Sequence, residues 1–172
     1  MARLATREEA SLAPDTLAAL EPVRGADGAI PPVYRQYAAS EPALRAYLGM
    51  EAALRAGSLA AREIEAVKLL VSERLRCTFC ASVHAAKGRR AGLDRDAQRA
   101  IRAGEPLGEA RLDALLGLVG TLLERPGPLG DEEIAAARDA GLDDANLVDL
   151  TLAVATIFFT NVTNHVNDTR HP

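Results

Sequence analysis

Two cysteines, Cys77 and Cys80, are separated by two residues and are the only cysteines among 172 residues. Two thiols at this spacing can close into a disulfide where the local geometry allows it. His84 follows Cys80 by four positions, so on a helix the two side chains would share one face. Glu65 lies twelve residues before Cys77. The set therefore combines two thiols with a base and with a carboxylate that could orient the base.

Peroxide reduction is one reaction that such a set can perform, because thiolates rather than thiols attack peroxides. The attack gives a sulfenic acid, which a second thiol converts to a disulfide. A helix that begins near Cys77 would favour ionisation of Cys77 through its free amide groups. His84, in contrast, would favour ionisation of Cys80. The residues by themselves therefore leave the two thiol roles open.

The motif Glu65-x11-Cys77-x-x-Cys80-x-x-x-His84 resembles the signature of the AhpD-like alkylhydroperoxidases of the carboxymuconolactone decarboxylase superfamily. The asparagine-rich tail, residues 159–168, agrees with the same family. The resemblance implies a small all-helical protein that reduces peroxides through a cysteine pair and needs no cofactor. It also implies a dithiol reductant, either a lipoyl-type or a thioredoxin-like protein, and a homo-oligomer that is a trimer or a hexamer.

The resemblance assigns the roles that the residues leave open. Cys80 becomes the thiol that attacks the peroxide, Cys77 the resolving thiol, and His84 with Glu65 the proton relay. Phe79 stands between the cysteines, where some alkylhydroperoxidases carry a second histidine. This difference favours a related peroxidase-like member over AhpD in the strict sense.

Several alternatives use the same residues. The protein could be a redox adaptor or thiol–disulfide oxidoreductase for a peroxiredoxin, or a non-redox superfamily member such as a lactone decarboxylase. The four motif residues could also hold zinc, but the chain has no second cysteine pair, and we expect no metal. The cysteines could finally be inert packing residues.

The polar residues around the motif have simpler expected roles. Glu63 and Glu73 are the competitors of Glu65, and we expect both to be surface charges. His165 is expected to cap a helix or to lie in an interface. Five basic residues surround the motif, namely Arg74, Arg76, Lys87, Arg89 and Arg90. We expect them to be solvated, although they could attract an anionic substrate. The tyrosines are expected to pack: Tyr34, Tyr37 and Tyr47.

The composition excludes several classes of partner. A net charge of −4 argues against a nucleic-acid-binding surface, which would have to be basic. Arginine and glutamate interrupt every apolar run near the N-terminus, so no signal peptide is visible. Residues 147–159 form the most apolar stretch, but they contain Asp149 and are too short to span a bilayer. We therefore expect a cytoplasmic protein with neither nucleic-acid nor membrane partners.

The apolar periodicity predicts an all-α fold, a compact AhpD-like bundle of about seven to eight helices. Residues 1–30 should form an N-terminal arm with one short helix, and residues 31–172 a single helical domain. An offset of 84 residues aligns Cys80 with Asn164, which suggests an internal two-fold repeat of helical hairpins. The predicted helices cover residues 13–20, 40–56, 59–75, 77–91, 94–103, 109–124, 132–140 and 143–168.

Overall fold

A computed structural model describes residues 3–169 of the chain, and every regular element in that range is helical. The all-α prediction is therefore confirmed. The six-residue α2 was not predicted, because it begins at a proline pair and is too short to show a periodic pattern. The nine α-helices of the described residues are α1 (Pro14–Leu20), α2 (Pro32–Tyr37), α3 (Glu41–Ala56), α4 (Ala61–Arg74), α5 (Thr78–Arg90), α6 (Arg95–Ala103), α7 (Ala110–Glu124), α8 (Asp131–Asp139) and α9 (Asp144–Asn167).

Helix α4 is the central element, and it packs against α5, α6, α7 and α9. Its apolar residues point to several sides, and Val67, Leu69 and Val71 are all fully buried. A helix that is apolar on several sides must lie inside the fold. Replacing one of these buried side chains, for example Leu69→Ala, would cost about 2–5 kcal/mol of stability.

The turn between α4 and α5 brings the motif residues together. Arg76 adopts a left-handed backbone conformation with φ 58°, and the N–H of Cys77 donates to the Ser72 carbonyl at 2.9 Å. This is the common way in which a helix ends, although glycine usually occupies the left-handed position. The chain therefore leaves α4, turns within three residues and starts α5 alongside it. A break near residue 76 was predicted from the sequence and is confirmed.

Helix α9 is long and packs against α3, α4 and α5. By length and composition alone it could cross a membrane, so the expectation that no segment could do so was wrong on that criterion. Its asparagines are buried and bonded within the fold, as in the core helix of a globular protein. It also runs unbroken through Thr160, the position that the 84-residue offset matches to Arg76. The second hairpin suggested by the internal repeat therefore does not form there.

The N-terminal segment forms a second apolar core with α2 and α3. Leu20 and Ile30 are buried against Leu44, Tyr37 and Tyr47. Helix α1 occupies the predicted position, and these contacts pack the N-terminal segment against α2 and α3. A domain boundary at residue 30 stays a prediction, and residues 1–2 and 170–172 lie outside the described residues.

Candidate active site

The two cysteines lie at the start of α5. Cys77 is the residue that precedes the helix, and Cys80 lies in its first turn. Their Sγ atoms are paired as a disulfide, with the Cα atoms 5.3 Å apart, inside the usual range for such a pair. The backbone N–H of Cys80 also points at Cys77 Sγ, 3.3 Å away. Since amide groups at a helix start favour a negative charge, this position would stabilise a thiolate on Cys77 after reduction.

Glu65 and His84 form the predicted pair. Oε2 of Glu65 lies 2.7 Å from Nδ1 of His84, and both side chains are largely buried. In neutral histidine, Nδ1–H donates to the carboxylate, which leaves Nε2 as a proton acceptor. The sequence left open whether Glu65 faces solvent or an internal site, and the structure places it beside His84.

Burial lowers the pKa of His84 below its ordinary value, because a positive charge on the buried ring would lack the hydration that it has in water. Glu65 opposes this effect by bonding to the ring, whereas Lys68 and Lys87 add to it through their positive charge. The net direction keeps His84 neutral at neutral pH. A neutral imidazole with a fixed tautomer is the form that can accept a proton from a thiol.

Asn164 completes the surroundings of Cys80. Its Nδ2 donates to Cys80 Sγ at 3.3 Å, from a buried position on α9. Sequence reasoning assigned no contact to Asn164, although the 84-residue offset paired it with Cys80. The neighbouring His165 bonds through Nε2 to the carbonyl of Leu75 at 2.8 Å. His165 therefore caps the end of α4, one of the two roles expected for it.

Cys80 and His84 line the same cavity, which has a volume of about 530 Å³. Cys77 does not line it and lies instead on a cavity of about 390 Å³ that contains Arg76, Thr78 and His165. The two sulfur atoms therefore face different entrances. Aromatic side chains form much of the wall of the larger cavity, namely Tyr34, Tyr37, Tyr47 and Phe79. The tyrosines pack against one another, as the sequence predicted, and line the cavity as well.

A buried ion pair lies close behind this cavity. Nζ of Lys68 lies 2.6 Å from Oε1 of Glu51, and the Lys68 side chain is 2% exposed. The Tyr47 hydroxyl donates to the same carboxylate oxygen at 3.1 Å. Burial opposes ionisation of Glu51, but the charge and hydrogen bond of Lys68, the charge of Lys87 and the hydrogen bond from Tyr47 together outweigh it, so the pKa of Glu51 is lowered. Sequence reasoning missed this pair; the signal was a lysine between valine and leucine in an apolar helical segment.

The two competing glutamates have structural partners. Glu63 is buried, bonds to the backbone N–H of Ala60 at 2.8 Å and pairs with Arg111 at 2.7 Å. The expectation that Glu63 is a surface charge was therefore wrong; in a helix buried on most sides, tertiary packing decides which polar residues stay solvated. Glu73 is partly exposed and pairs with Arg102 at 2.7 Å, which agrees with the expectation.

The geometry around the cysteines differs from that of a zinc site. The sulfur atoms are paired with each other, and the Glu65 carboxylate is bonded to His84. Within residues 3–169, no group of three or more histidine, cysteine, aspartate or glutamate side chains converges as a metal ion would require.

The sequence of the chain was compared with models of known protein families, and one family matches. Residues 41–118 match the sequence model of the carboxymuconolactone decarboxylase family. Among curated protein sequences, none matches the chain.

Solved structures with the same fold cover most of the chain. A peroxidase-related protein from Ralstonia eutropha JMP134 with an alkylhydroperoxidase AhpD core has a TM-score of 0.87 at 20% identity, covering 99% of this chain and 92% of its own. A protein of unknown function from Agrobacterium tumefaciens, a candidate antioxidant defence protein AhpD, has a TM-score of 0.70 at 24% identity over 79% of this chain and 94% of its own. The debrominase Bmp8 in its apo form has a TM-score of 0.81 at 14% identity over 99% of this chain and 92% of its own. These structures confirm the AhpD-like fold.

Proposed function

Since the chain belongs to the carboxymuconolactone decarboxylase superfamily and has the AhpD-like fold, we propose that it is a thiol-dependent peroxidase. One observation carries the proposal: Cys80 and His84 line the same cavity, while Glu65 holds Nδ1 of His84. Cys77, paired with Cys80, is close enough to resolve the oxidised sulfur. A peroxide in the cavity would therefore meet the Cys80 thiol and the base His84, and Cys77 lies on the other side of Cys80.

The first step uses the reduced protein. Nε2 of His84 accepts the proton of the Cys80 thiol, and the N–H of Asn164 stabilises the resulting thiolate. The thiolate attacks the terminal oxygen of the hydroperoxide, so that an S–O bond forms and the O–O bond breaks. Sulfur is oxidised by two electrons to the sulfenic acid. The alkoxide that leaves takes the proton from His84 and departs as an alcohol.

The second step restores the thiols. The sulfur of Cys77 attacks the sulfenic sulfur of Cys80, an S–S bond forms, the S–O bond breaks, and water leaves. A dithiol then reduces the disulfide through a mixed disulfide and is itself oxidised to a disulfide. We propose a lipoyl-type or thioredoxin-like protein as this reductant, approaching Cys77 from the side of Thr78 and His165. Such reductants belong to a reducing compartment, which agrees with a cytoplasmic location.

A thiol–disulfide oxidoreductase that serves a peroxiredoxin is the second candidate, because the paired sulfur atoms support it equally well. A non-redox activity such as lactone decarboxylation would leave the cysteine pair without a role. Since a debrominase shares the fold, proteins with this fold perform diverse chemistry. An assay therefore has to distinguish the peroxidase from the oxidoreductase and from a non-redox activity.

The deciding assay is peroxide consumption with dithiothreitol or dihydrolipoamide as the reductant. Wild type should turn over, Cys80→Ser should be inactive, and Cys77→Ser should react once and give a sulfenic acid that dimedone traps. If Cys80→Ser forms the sulfenic acid and Cys77→Ser does not, the two roles are exchanged. Disulfide exchange with a protein partner, without peroxide consumption by wild type, would favour the oxidoreductase over the peroxidase.

We also propose that the protein is a homo-oligomer, a trimer or a hexamer as the family resemblance implies. The exposed face of α9 supports this, because it presents large apolar side chains to solvent: Val148, Phe158, Val162 and Val166. Exposed apolar side chains that recur at helical spacing, as Phe158, Val162 and Val166 do, are typical of a protein–protein interface.

A further inference from the structure

The cavity at Cys80 is aromatic and basic at the same time. Besides its aromatic wall, it is lined by four cationic side chains, Arg24, Arg55, Lys87 and Arg90. No aspartate or glutamate is among the residues of the described chain that line it. A cavity with cations and no carboxylate attracts anions, and the low-dielectric wall strengthens that attraction.

Two of the four cations are already paired. Arg24 bonds to Glu21 at 2.8 Å and to Glu9 at 3.0 Å, and Arg55 lies 3.9 Å from Glu51. Lys87 and Arg90, in contrast, make no ion pair with any carboxylate of residues 3–169. They are three positions apart on α5, so both lie on one face of the helix. These two side chains are therefore free to bind an anion from outside the chain.

The distance along α5 sets the size of the ligand. Lys87 follows Cys80 by seven residues on the same helix, so their Cα atoms are separated by about 10 Å along the axis. A molecule that reaches from Cys80 to Lys87 needs an apolar body between its peroxide and its anionic group. Hydrogen peroxide and small alkyl hydroperoxides are too short to use both ends of the cavity.

The Tyr37 hydroxyl is a second sign that the cavity receives an oxygen-bearing ligand. It is buried in the cavity wall and has no hydrogen-bond partner in the described part of the chain. A buried hydroxyl without a partner costs stability, and an oxygen of a bound ligand would supply the missing bond. Burial also raises the pKa of Tyr37, so the hydroxyl keeps its proton and can donate.

We propose that the cavity selects an organic hydroperoxide whose apolar body carries a carboxylate, with the peroxide at Cys80 and the carboxylate bound by Lys87 and Arg90. The preference for an anion rests on the residues that line the cavity, whereas the reduction of a bound hydroperoxide rests on the proposed peroxidase function. The two parts can be tested separately.

The binding part is tested on the oxidised protein, which cannot react with a peroxide. Calorimetry would compare 4-phenylbutyrate with 4-phenylbutan-1-ol, two probes of similar shape that differ in charge. The carboxylate should bind about tenfold more tightly, as expected for a charge-assisted hydrogen bond that is partly exposed to solvent. Lys87→Gln combined with Arg90→Gln should abolish that preference. Arg89→Gln is the matched control, because Arg89 is exposed on the same helix turn and does not line the cavity.

The catalytic part compares two substrates, 4-(2-hydroperoxypropan-2-yl)benzoate and its methyl ester, by kcat/KM with dithiothreitol. Wild type should prefer the carboxylate about tenfold, and the Lys87→Gln, Arg90→Gln variant should lose that preference, whereas Arg89→Gln should keep it. A preference in binding without any turnover would support the anion site and contradict the peroxidase. Equal binding of the two probes, with both peroxides reduced at the same rate, would overturn the anion site and leave the peroxidase standing. A preference that Arg89→Gln also abolishes would likewise overturn it.

Discussion

Asn164 on α9 donates a hydrogen bond to the sulfur of Cys80 on α5, 3.3 Å away and 84 residues earlier in the chain. The donor is buried, so water does not compete for the bond. A hydrogen bond to a charged group is stronger than one to a neutral group. The contact should therefore stabilise the Cys80 thiolate more than the thiol, which lowers the pKa of the reduced residue.

Asn164→Ala should raise the pKa of the Cys80 thiol and slow its alkylation at neutral pH by about tenfold, because the lost bond is worth about 1.5 kcal/mol. The measurement is the rate of iodoacetamide alkylation against pH, in a Cys77→Ser background so that a single thiol reacts. Thr163→Ala is the matched control, since Thr163 lies next to Asn164 and its hydroxyl donates within its own helix, to the Phe159 carbonyl. An unchanged titration midpoint in Asn164→Ala would show that the bond has no role in the reduced protein.

Glu65→Gln tests the relay. The amide can turn its N–H towards Nδ1 of His84, which moves the ring proton to Nε2 and removes the acceptor that faces the thiol. Thiolate formation at Cys80 should then slow by roughly ten- to a thousand-fold, the range of a lost general-base contribution. The measurement is again the alkylation rate of Cys80 against pH, and circular dichroism should show an unchanged helix content.

Glu73→Gln is the control for that substitution, because Glu73 lies on the same helix, is partly exposed and pairs with Arg102. Glu63 is unsuitable as a control, since it is buried and holds Arg111 and the start of α4. If Glu73→Gln shifts the Cys80 midpoint and Glu65→Gln does not, the wrong glutamate has been assigned to the relay.

The pH dependence should follow the lowered pKa of His84. Burial moves this pKa below the ordinary value of 6.5, so the acid limb of kcat/KM should have its midpoint below pH 6.5. The unfolded chain binds a proton in the interval between the two pKa values and the folded chain does not, so the contribution of His84 to stability is complete above pH 6.5 and is lost as the pH falls through the folded value. NMR titration of the His84 ring nitrogens checks the first point directly. A midpoint above 6.5 would contradict the neutral-base role.

The Cys-x-x-Cys-x-x-x-His spacing could be interpreted from sequence because its geometry is local. Cys77, Cys80 and His84 lie within eight residues, where one helix start fixes their relative positions. Glu65 could be assigned from the family motif, and the structure brings it to His84 because α4 and α5 are consecutive and pack together after a short turn. The apolar periodicity alone left the direction of Glu65 open, and its role came from the family resemblance.

Asn164 and Lys68 could not be placed in this way. The contact of Asn164 joins residues 84 positions apart, and nothing in the spacing of either helix states that α9 packs on the first turn of α5. Lys68 lies in a helix that is buried on most sides, where the apolar pattern gives no preferred face for a charge. Its partner, Glu51, comes from α3, and only the tertiary arrangement brings the two together.

Lys68 and Glu51 should therefore show strong coupling in stability. Lys68→Met removes the closest cation of the largely buried Glu51 carboxylate and leaves only the exposed Arg55, 3.9 Å away, which should lower the free energy of unfolding by about 3 kcal/mol. Combining it with Glu51→Leu removes both charges and should recover much of that loss. Urea denaturation of the two single variants and the double variant gives the coupling energy. Additive single effects would show that the two side chains do not form a pair in solution.

The exposed face of α9 should be the contact surface of the proposed oligomer. Val162 and Val166 continue the spacing of Phe158 along one side of the helix, and their exposed fractions of 42%, 54% and 45% are large for apolar side chains. Val162→Glu would place a charge in the middle of this contact, where it would lose its hydration without gaining a partner. Light scattering at micromolar concentration should give a trimer or a hexamer of the 18.2 kDa chain for wild type and a smaller species for the variant.

Ala135→Glu, at an exposed position on α8, is the control and should leave the mass unchanged. A wild-type protein that is monomeric under these conditions would refute the oligomer, and an intact oligomer in a folded Val162→Glu would place its interface elsewhere.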